Sequence, residues 1–175
     1  MKSACEVLDV NERTASDIDI VVTLNADDKK RVGEREEYRE YYRSLNITNL
    51  RFGGYDKPNV SGRRFQKKKK EFSSIWLQMC SRIESVDLQK CPVTILFHCF
   101  AGVNRSAGAL CAFLILCKKM SASEAVATLV RHRPGQQYWR GRHYFIHALM
   151  DMELYSKEQE AQAAQDRLDR DCDDA

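Results

Sequence analysis

One short stretch of this 175-residue chain restricts its fold more than any other. Residues 93–97, Val-Thr-Ile-Leu-Phe, form an almost wholly apolar run, which is typical of a strand buried on both faces of a sheet. After a loop of small and polar residues, the segment 106–119 is apolar around most of its circumference and predicts a buried helix. A buried strand that leads directly into a buried helix indicates an α/β domain, with a central, mostly parallel sheet flanked by helices.

Strand and helix patterns alternate along the rest of the chain. Residues 17–24 alternate polar and apolar side chains and are rich in β-branched residues, and a second strand is predicted at 47–52. The segment 53–62 has the strongest loop composition in the chain. Beyond it, apolar residues at helical spacing predict an amphipathic helix: Phe65, Phe72, Ile75, Trp76, Met79 and Ile83.

Two further helices are predicted nearer the C-terminus. Ser121 and Glu124 form a capping-box signature, and the helix that follows is expected to end at Pro134-Gly135. Its inward-facing residues are predicted to be Ala125, Val126, Leu129 and Val130. A last helix is predicted from about residue 140 to 157, and the chain beyond residue 160 is expected to fray.

The cysteines indicate a reducing compartment. There are seven, at positions 5, 80, 91, 99, 111, 117 and 172, and none belongs to a Cys-x-x-Cys pair. Secreted domains held together by disulfides show an even and regular set, and structural zinc sites need paired ligands. We therefore expect a cytoplasmic or nuclear protein with no metal. No run of 18 apolar residues predicts a membrane span.

The loop between the buried strand and the buried helix carries the chemistry. Gly102 allows a tight turn, so that the backbone N–H groups of residues 100–105 converge at the positive end of the helix, where an anion binds. Cys99 is predicted to lie at the bottom of this loop, where the helix dipole and Arg105 favour its thiolate. The planar fork of Arg105 matches two phosphate oxygens. Ser106 is placed to hydrogen bond the sulfur, and His98 to hold the loop.

These residues carry a family resemblance. His98-Cys99-x5-Arg105-Ser106 resembles the signature of the cysteine-dependent protein tyrosine phosphatases, and Ala-Gly-x-x-Arg-Ser with Arg-x-Arg-Pro at 131–134 resembles their dual-specificity branch. The resemblance implies that Cys99 attacks a phosphorylated protein, that water hydrolyses the cysteinyl-phosphate, and that no cofactor takes part. It also implies that Ser106 assists departure of the thiolate and that the loop residues bind phosphate: Phe100, Ala101, Gly102, Val103, Asn104 and Arg105.

The resemblance further implies a general acid, an aspartate on a loop upstream. Asp56 is the best match, because it follows a predicted strand and two glycines. Cys99 lies 43 residues after it, which is longer than the family interval, so an enlarged helix or loop at 63–91 is expected to absorb the excess. Asp27 and Asp28 are weaker candidates after the earlier strand.

Two departures from the family pattern leave alternatives open. The family usually begins with a hairpin and a helix, whereas little chain precedes the strand placed at 18–24. A form of the fold without the N-terminal hairpin is therefore one alternative. Asn104 stands where Ser or Gly is commoner, as in RNA 5′-triphosphatases of the cysteine type. That activity and a catalytically weak pseudophosphatase are the alternative functions. Phosphoinositides are disfavoured because residues 100–104 contain no Lys or Arg.

Charge is distributed unevenly along the chain. The net charge is +3, but residues 158–175 carry −5 and residues 1–157 therefore carry +8. We assign 1–157 to the phosphatase domain and 158–175 to an acidic tail. The run Arg63–Lys70 is typical of a solvated helix face, and it is also the surface through which nucleic acid would bind or nuclear import would be signalled. We expect a monomer that binds no membrane.

Overall fold

In the computed structural model of the chain, residues 18–25, 40–86 and 92–173 are described, with side chains up to residue 170. Within these residues, three strands form one parallel sheet in the order β2-β1-β3: β1 (Ile20–Leu24), β2 (Thr48–Phe52) and β3 (Ile95–His98). The same described ranges contain four helices of eleven or more residues: α1 (Gly62–Glu84), α2 (Arg105–Lys118), α3 (Ala122–His132) and α4 (Tyr144–Asp173). Residues 40–44 are also helical. The predicted α/β architecture is confirmed.

Strand β1, and not β3, lies in the middle of the described sheet. All five residues of β1 are buried, whereas all four of β3 are partly exposed. The prediction that residues 93–97 form a central strand buried on both faces is therefore wrong for the described part of the sheet. Each strand contains a short apolar run, residues 20–22 in β1 and 95–97 in β3. Such a run predicts a strand in the interior without showing its place in the sheet order.

The parallel register brings two loops to the same edge of the sheet. Val22 pairs with Leu50 on one side and with Phe97 on the other, so the three strands end at nearly the same level. The loop after β2 contains Asp56 and the loop after β3 contains Cys99. In open α/β sheets this carboxyl edge is where ligands bind. The segment 63–91, where an enlarged helix or loop is expected, contains most of α1, whose 23 residues make up much of the long interval between the two loops.

The core is formed where α1, α2 and α4 pack together. Helix α2 is buried almost all round over residues 106–115, as its composition predicts, and it contacts β1 and β3 as well as the other helices. Trp76, Phe72 and Phe145 are fully buried, with the rings of Phe72 and Phe145 4.5 Å apart. This packing fixes the first turn of α2, which borders the loop of Cys99.

The two C-terminal helices differ in part from expectation. Ser121 and Glu124 form the capping box, but only Ala125 and Leu129 of α3 are buried. Val130 is 46% exposed, because it lies one position around the helix from the narrow buried stripe.

Helix α4 continues to Asp173, far beyond residue 157, where the last helix is expected to end. Residues 158–165 consist only of Glu, Gln and Ala, and residues 158–173 lack Gly and Pro, which favours continuation. Treating 158–175 as a separate tail stays a prediction. No helix of the described residues is long and apolar enough to cross a membrane.

Gly108 allows the close approach of α2 to its neighbours. A Cβ atom at this position would lie 2.6 Å from Trp76 Cζ2 and 3.0 Å from Phe145 Cδ1. We predict that Gly108→Ala lowers the free energy of unfolding by about 1–3 kcal/mol, the usual cost of overpacking a core. Urea unfolding followed by circular dichroism measures it. In an exposed helix interior the same change stabilises by roughly 0.5–1 kcal/mol, and a gain of that size would contradict the close approach.

Candidate active site

The loop of residues 99–104 connects the end of β3 to the first turn of α2, as the sequence predicts. Its turn depends on Gly102, whose φ of +67° lies in the left-handed region that favours glycine. A Cβ at Gly102 would also lie 3.2 Å from Nη1 of Arg133. That guanidinium donates a 2.9 Å hydrogen bond to the carbonyl oxygen of Gly102 and so holds the outer side of the loop.

The sulfur of Cys99 lies where the loop amides converge. Its Sγ is 3.3 Å from Oγ of Ser106, a buried side chain in the first turn of α2. Burial raises the pKa of the Cys99 thiol, but hydrogen bonds from the Ser106 hydroxyl and backbone N–H act in the opposite sense. The backbone N–H groups of Gly102 and Ala101 add to them, and the net effect lowers the pKa below its ordinary value. The surroundings therefore favour the nucleophilic thiolate.

Other described cysteines have the opposite electrostatics. A hydrogen bond with Cys117, followed by burial, raises the pKa of the Cys80 thiol. Burial raises the pKa of Cys111 to about 12. These thiols lie in the core and stay protonated, so Cys99 is distinguished from them by the N–H groups around it. Cys5 and Cys91 lie outside the described residues.

Asp56 reaches the same loop from the end of β2. Its side chain is 11% exposed and makes two ion pairs: Oδ1 lies 3.1 Å from Nε of Arg105, and Oδ2 lies 2.9 Å from Nε of Arg142. Oδ2 also accepts a 3.2 Å hydrogen bond from Nδ2 of Asn104. The structure thus brings Asp56 and the predicted phosphate-binding arginine together. The weaker candidates, Asp27 and Asp28, lie outside the described residues.

His98 is held by a polar chain that runs beneath the loop. Its Nε2 lies 2.8 Å from Oγ1 of Thr23, which accepts a 3.1 Å hydrogen bond from Nδ2 of Asn49. The Thr23 hydroxyl can in turn donate its hydrogen to the ring. Burial, and then the positive charge of Arg51, lower the pKa of His98, so the ring is favoured as neutral. These contacts support a structural role for His98. Sequence reasoning missed Thr23 and Asn49, the side chains that make them.

A second missed contact joins the loop to the segment before α4. The backbone N–H of Trp139 donates to Oδ1 of Asn104 at 3.0 Å, and its indole Nε1–H donates to the Asn104 carbonyl oxygen at 3.0 Å. Trp139 has a φ of 56°, a left-handed conformation that costs an L residue about 1–2 kcal/mol. Trp139 is buried, and nothing in the sequence points to its pairing with Asn104.

Phe100, the residue after Cys99, is 91% exposed. Its backbone N–H and those of Val103 and Asn104 stay predicted phosphate donors.

The first turns of α1 carry a run of cations. Lys68 donates to the Tyr55 carbonyl oxygen at 2.7 Å, and Lys69 pairs with Asp151 at 2.9 Å. The remaining cations of the run are solvent-exposed: Arg63, Arg64, Lys67 and Lys70. Within the described part of the chain, no group of three or more His, Cys, Asp or Glu side chains could hold a metal ion.

Comparison with known proteins identifies the fold and the family. A family model for the dual specificity phosphatase catalytic domain matches residues 9–154. Among solved structures, human DUSP28 is similar at 15% identity, with 82% of each chain covered and a TM-score of 0.56. PTPMT1 is similar at 17% identity, covering 83% of this chain and 82% of that one, with a TM-score of 0.52. Tk-PTP in its active form matches at 21% identity, over 78% and 79%, with a TM-score of 0.51. No curated protein matches the sequence.

The lowered thiol pKa depends most on Ser106, which gives a direct prediction. In Ser106→Ala the hydroxyl hydrogen bond to Sγ is lost, so the thiolate is less stable and the pKa of Cys99 rises. The pH at which iodoacetamide alkylation of Cys99 reaches half its maximal rate should move upward, with the modified residue identified by mass spectrometry. Cys111→Ala is the control and should leave the profile in place. An unchanged profile in Ser106→Ala would show that the hydroxyl does not stabilise the thiolate.

Proposed function

Because this chain belongs to the family of dual specificity phosphatase catalytic domains, we propose that it is a protein phosphatase acting on phosphotyrosine and on phosphoserine or phosphothreonine. The observation that carries the proposal is the sulfur of Cys99, held among loop N–H groups 3.3 Å from Ser106 with its pKa lowered. A thiolate at the centre of an anion-binding loop is suited to attack the phosphorus of a bound phosphomonoester.

In the first step, the Cys99 thiolate attacks phosphorus. A P–S bond forms while the P–O bond to the substrate breaks, and protonated Asp56 gives its proton to the departing oxygen. Arg105 and the amides of residues 100–105 stabilise the charge of the transferring phosphoryl group. The fork of Arg105 faces phosphate with N–H groups other than the Nε that contacts Asp56.

In the second step, water hydrolyses the cysteinyl-phosphate. Asp56, now ionised, accepts a proton from the attacking water, a P–O bond forms and the P–S bond breaks. The sulfur leaves as a thiolate, which Ser106 stabilises from 3.3 Å. Inorganic phosphate and the starting form of the enzyme result, so neither a metal nor a cofactor enters the balance.

Two substitutions test these roles separately. Hydrolysis of p-nitrophenyl phosphate and of a phosphotyrosine peptide should be abolished in Cys99→Ser, because the hydroxyl of serine is a far weaker nucleophile. Asp56→Asn should lower kcat for the peptide by about 10²–10⁴-fold, the usual contribution of a general acid. Inhibition by inorganic phosphate should persist in Asp56→Asn. Activity that survives in Cys99→Ser would overturn the mechanism, and a wild-type enzyme that binds phosphopeptide without turnover would identify a pseudophosphatase.

The exposed cations of α1 favour a second candidate, an RNA 5′-triphosphatase. Arg63, Arg64, Lys67 and Lys70 are solvent-exposed in the first turns of α1, and residues 57–70 contain no acidic side chain. Phosphate release from triphosphate-ended RNA, without activity on phosphopeptides, would establish this function in place of the first. We expect the reverse result, since Asp56, the proposed general acid for the alcohol or phenol of a phosphoprotein, lies beside Arg105.

A further inference from the structure

The side chain of Asn104 bridges the loop of Cys99 and the loop of Asp56. Its Nδ2 donates to Oδ2 of Asp56 at 3.2 Å, across 48 residues of sequence. Resting on the proposed function, in which Asp56 is the general acid, we propose that Asn104 is a positioning residue that fixes Asp56 for proton transfer. In the proposed function phosphate is bound by the backbone N–H of this position, so the side chain is free for a separate task.

Trp139 determines which way the Asn104 amide points. Because Oδ1 of Asn104 accepts the backbone N–H of Trp139 at 3.0 Å, the NH2 end must face Asp56. The opposite orientation would set an amide oxygen against a carboxylate and an NH2 group against an N–H donor. The indole N–H of Trp139 also holds the Asn104 carbonyl oxygen, so both the backbone and the side chain of this residue are fixed.

The contacts divide the two carboxyl oxygens of Asp56 between different tasks. Oδ2 faces Nδ2 of Asn104 and Nε of Arg142, whereas Oδ1 faces Nε of Arg105. Both groups at Oδ2 belong to the protein scaffold, while Arg105 is the group that binds substrate phosphate. Oδ1 is therefore the carboxyl oxygen on the side of the phosphate-binding arginine. The hydrogen bond from Asn104 and the positive charge of Arg142 hold Oδ2, which leaves Oδ1 to carry the transferred proton.

The test uses two aryl phosphates that differ in their need for a general acid. Phenyl phosphate releases a weakly acidic phenol, whose oxygen must be protonated as it leaves, whereas p-nitrophenyl phosphate releases a stable phenolate. Asn104→Ser shortens the side chain beyond reach of Asp56 and introduces a residue common at this position in the family. We expect kcat/KM for phenyl phosphate to fall about 10–100-fold, the order of loss that a displaced catalytic group causes. The value for p-nitrophenyl phosphate should fall much less.

A double-mutant cycle separates positioning from a general structural effect. If Asn104 acts through Asp56, adding Asn104→Ser to Asp56→Asn should cause little further loss on phenyl phosphate. Inhibition of Asn104→Ser by inorganic phosphate should match the wild type, which shows that the loop still binds the anion. Asn49→Ser, an equivalent truncation beneath His98, is the matched control and should keep the wild-type ratio of the two substrates, whatever its absolute rates.

The outcomes distinguish this inference from the proposed function. Equal losses on both substrates in Asn104→Ser, or fully additive losses in the cycle, would overturn the positioning role while leaving the phosphatase intact. If Asp56→Asn itself fails to alter the ratio between the substrates, the assignment of Asp56 as general acid is wrong. If neither aryl phosphate is hydrolysed by the wild type, the proposed function fails first.

Discussion

The convergence of backbone N–H groups on the sulfur of Cys99 is the interaction on which the site depends. Burial alone would keep this thiol protonated, as it does for Cys111. The hydroxyl of Ser106 and the amides of Ser106, Gly102 and Ala101 together reverse that effect. They can do so only while the loop keeps its turn at Gly102 and α2 begins directly after it. The extensive burial of α2 is therefore part of the chemistry, since it fixes the helix end that supplies these donors.

The parallel sheet brings the other groups of the site to this loop. The strands end at one edge, and segments distant in sequence meet there: the loop after β2 with Asp56, the loop after β3 with Cys99, and the segment before α4 with Trp139 and Arg142. The last segment is also joined to the first, since the N–H of Asn59 donates to the Gly141 carbonyl oxygen at 2.6 Å. A site assembled from several loops on a rigid sheet is the usual arrangement in α/β enzymes.

Much of this arrangement can be predicted from the sequence, because its main parts are local. The apolar strand, the loop with its glycine, and the apolar helix follow one another within residues 93–119, so pattern and spacing place Cys99, Arg105 and Ser106. Asp56 is predicted from loop composition and family resemblance, and the structure brings it to Arg105.

The parts that escape prediction are contacts between distant segments. Thr23 of β1 and Asn49 of β2 form the hydrogen-bonded chain that holds His98. The only feature of the sequence that marks either residue is a polar side chain within a short strand. Arg142 lies 86 residues after the aspartate that it contacts, and the left-handed backbone of Trp139 has no signature in its residue type. The order of the strands cannot be predicted either, because β1 and β3 both contain a short apolar run.

The most direct measurement of the central claim is capture of the covalent intermediate. In Asp56→Asn, attack on p-nitrophenyl phosphate needs little protonation of the leaving group, whereas hydrolysis of the cysteinyl-phosphate lacks its base, so the intermediate should accumulate. Rapid acid quenching and mass spectrometry of the peptides should then find phosphate attached to the sulfur of Cys99. Phosphate on another residue, or phosphate release with no adduct at any time during turnover, would contradict the account.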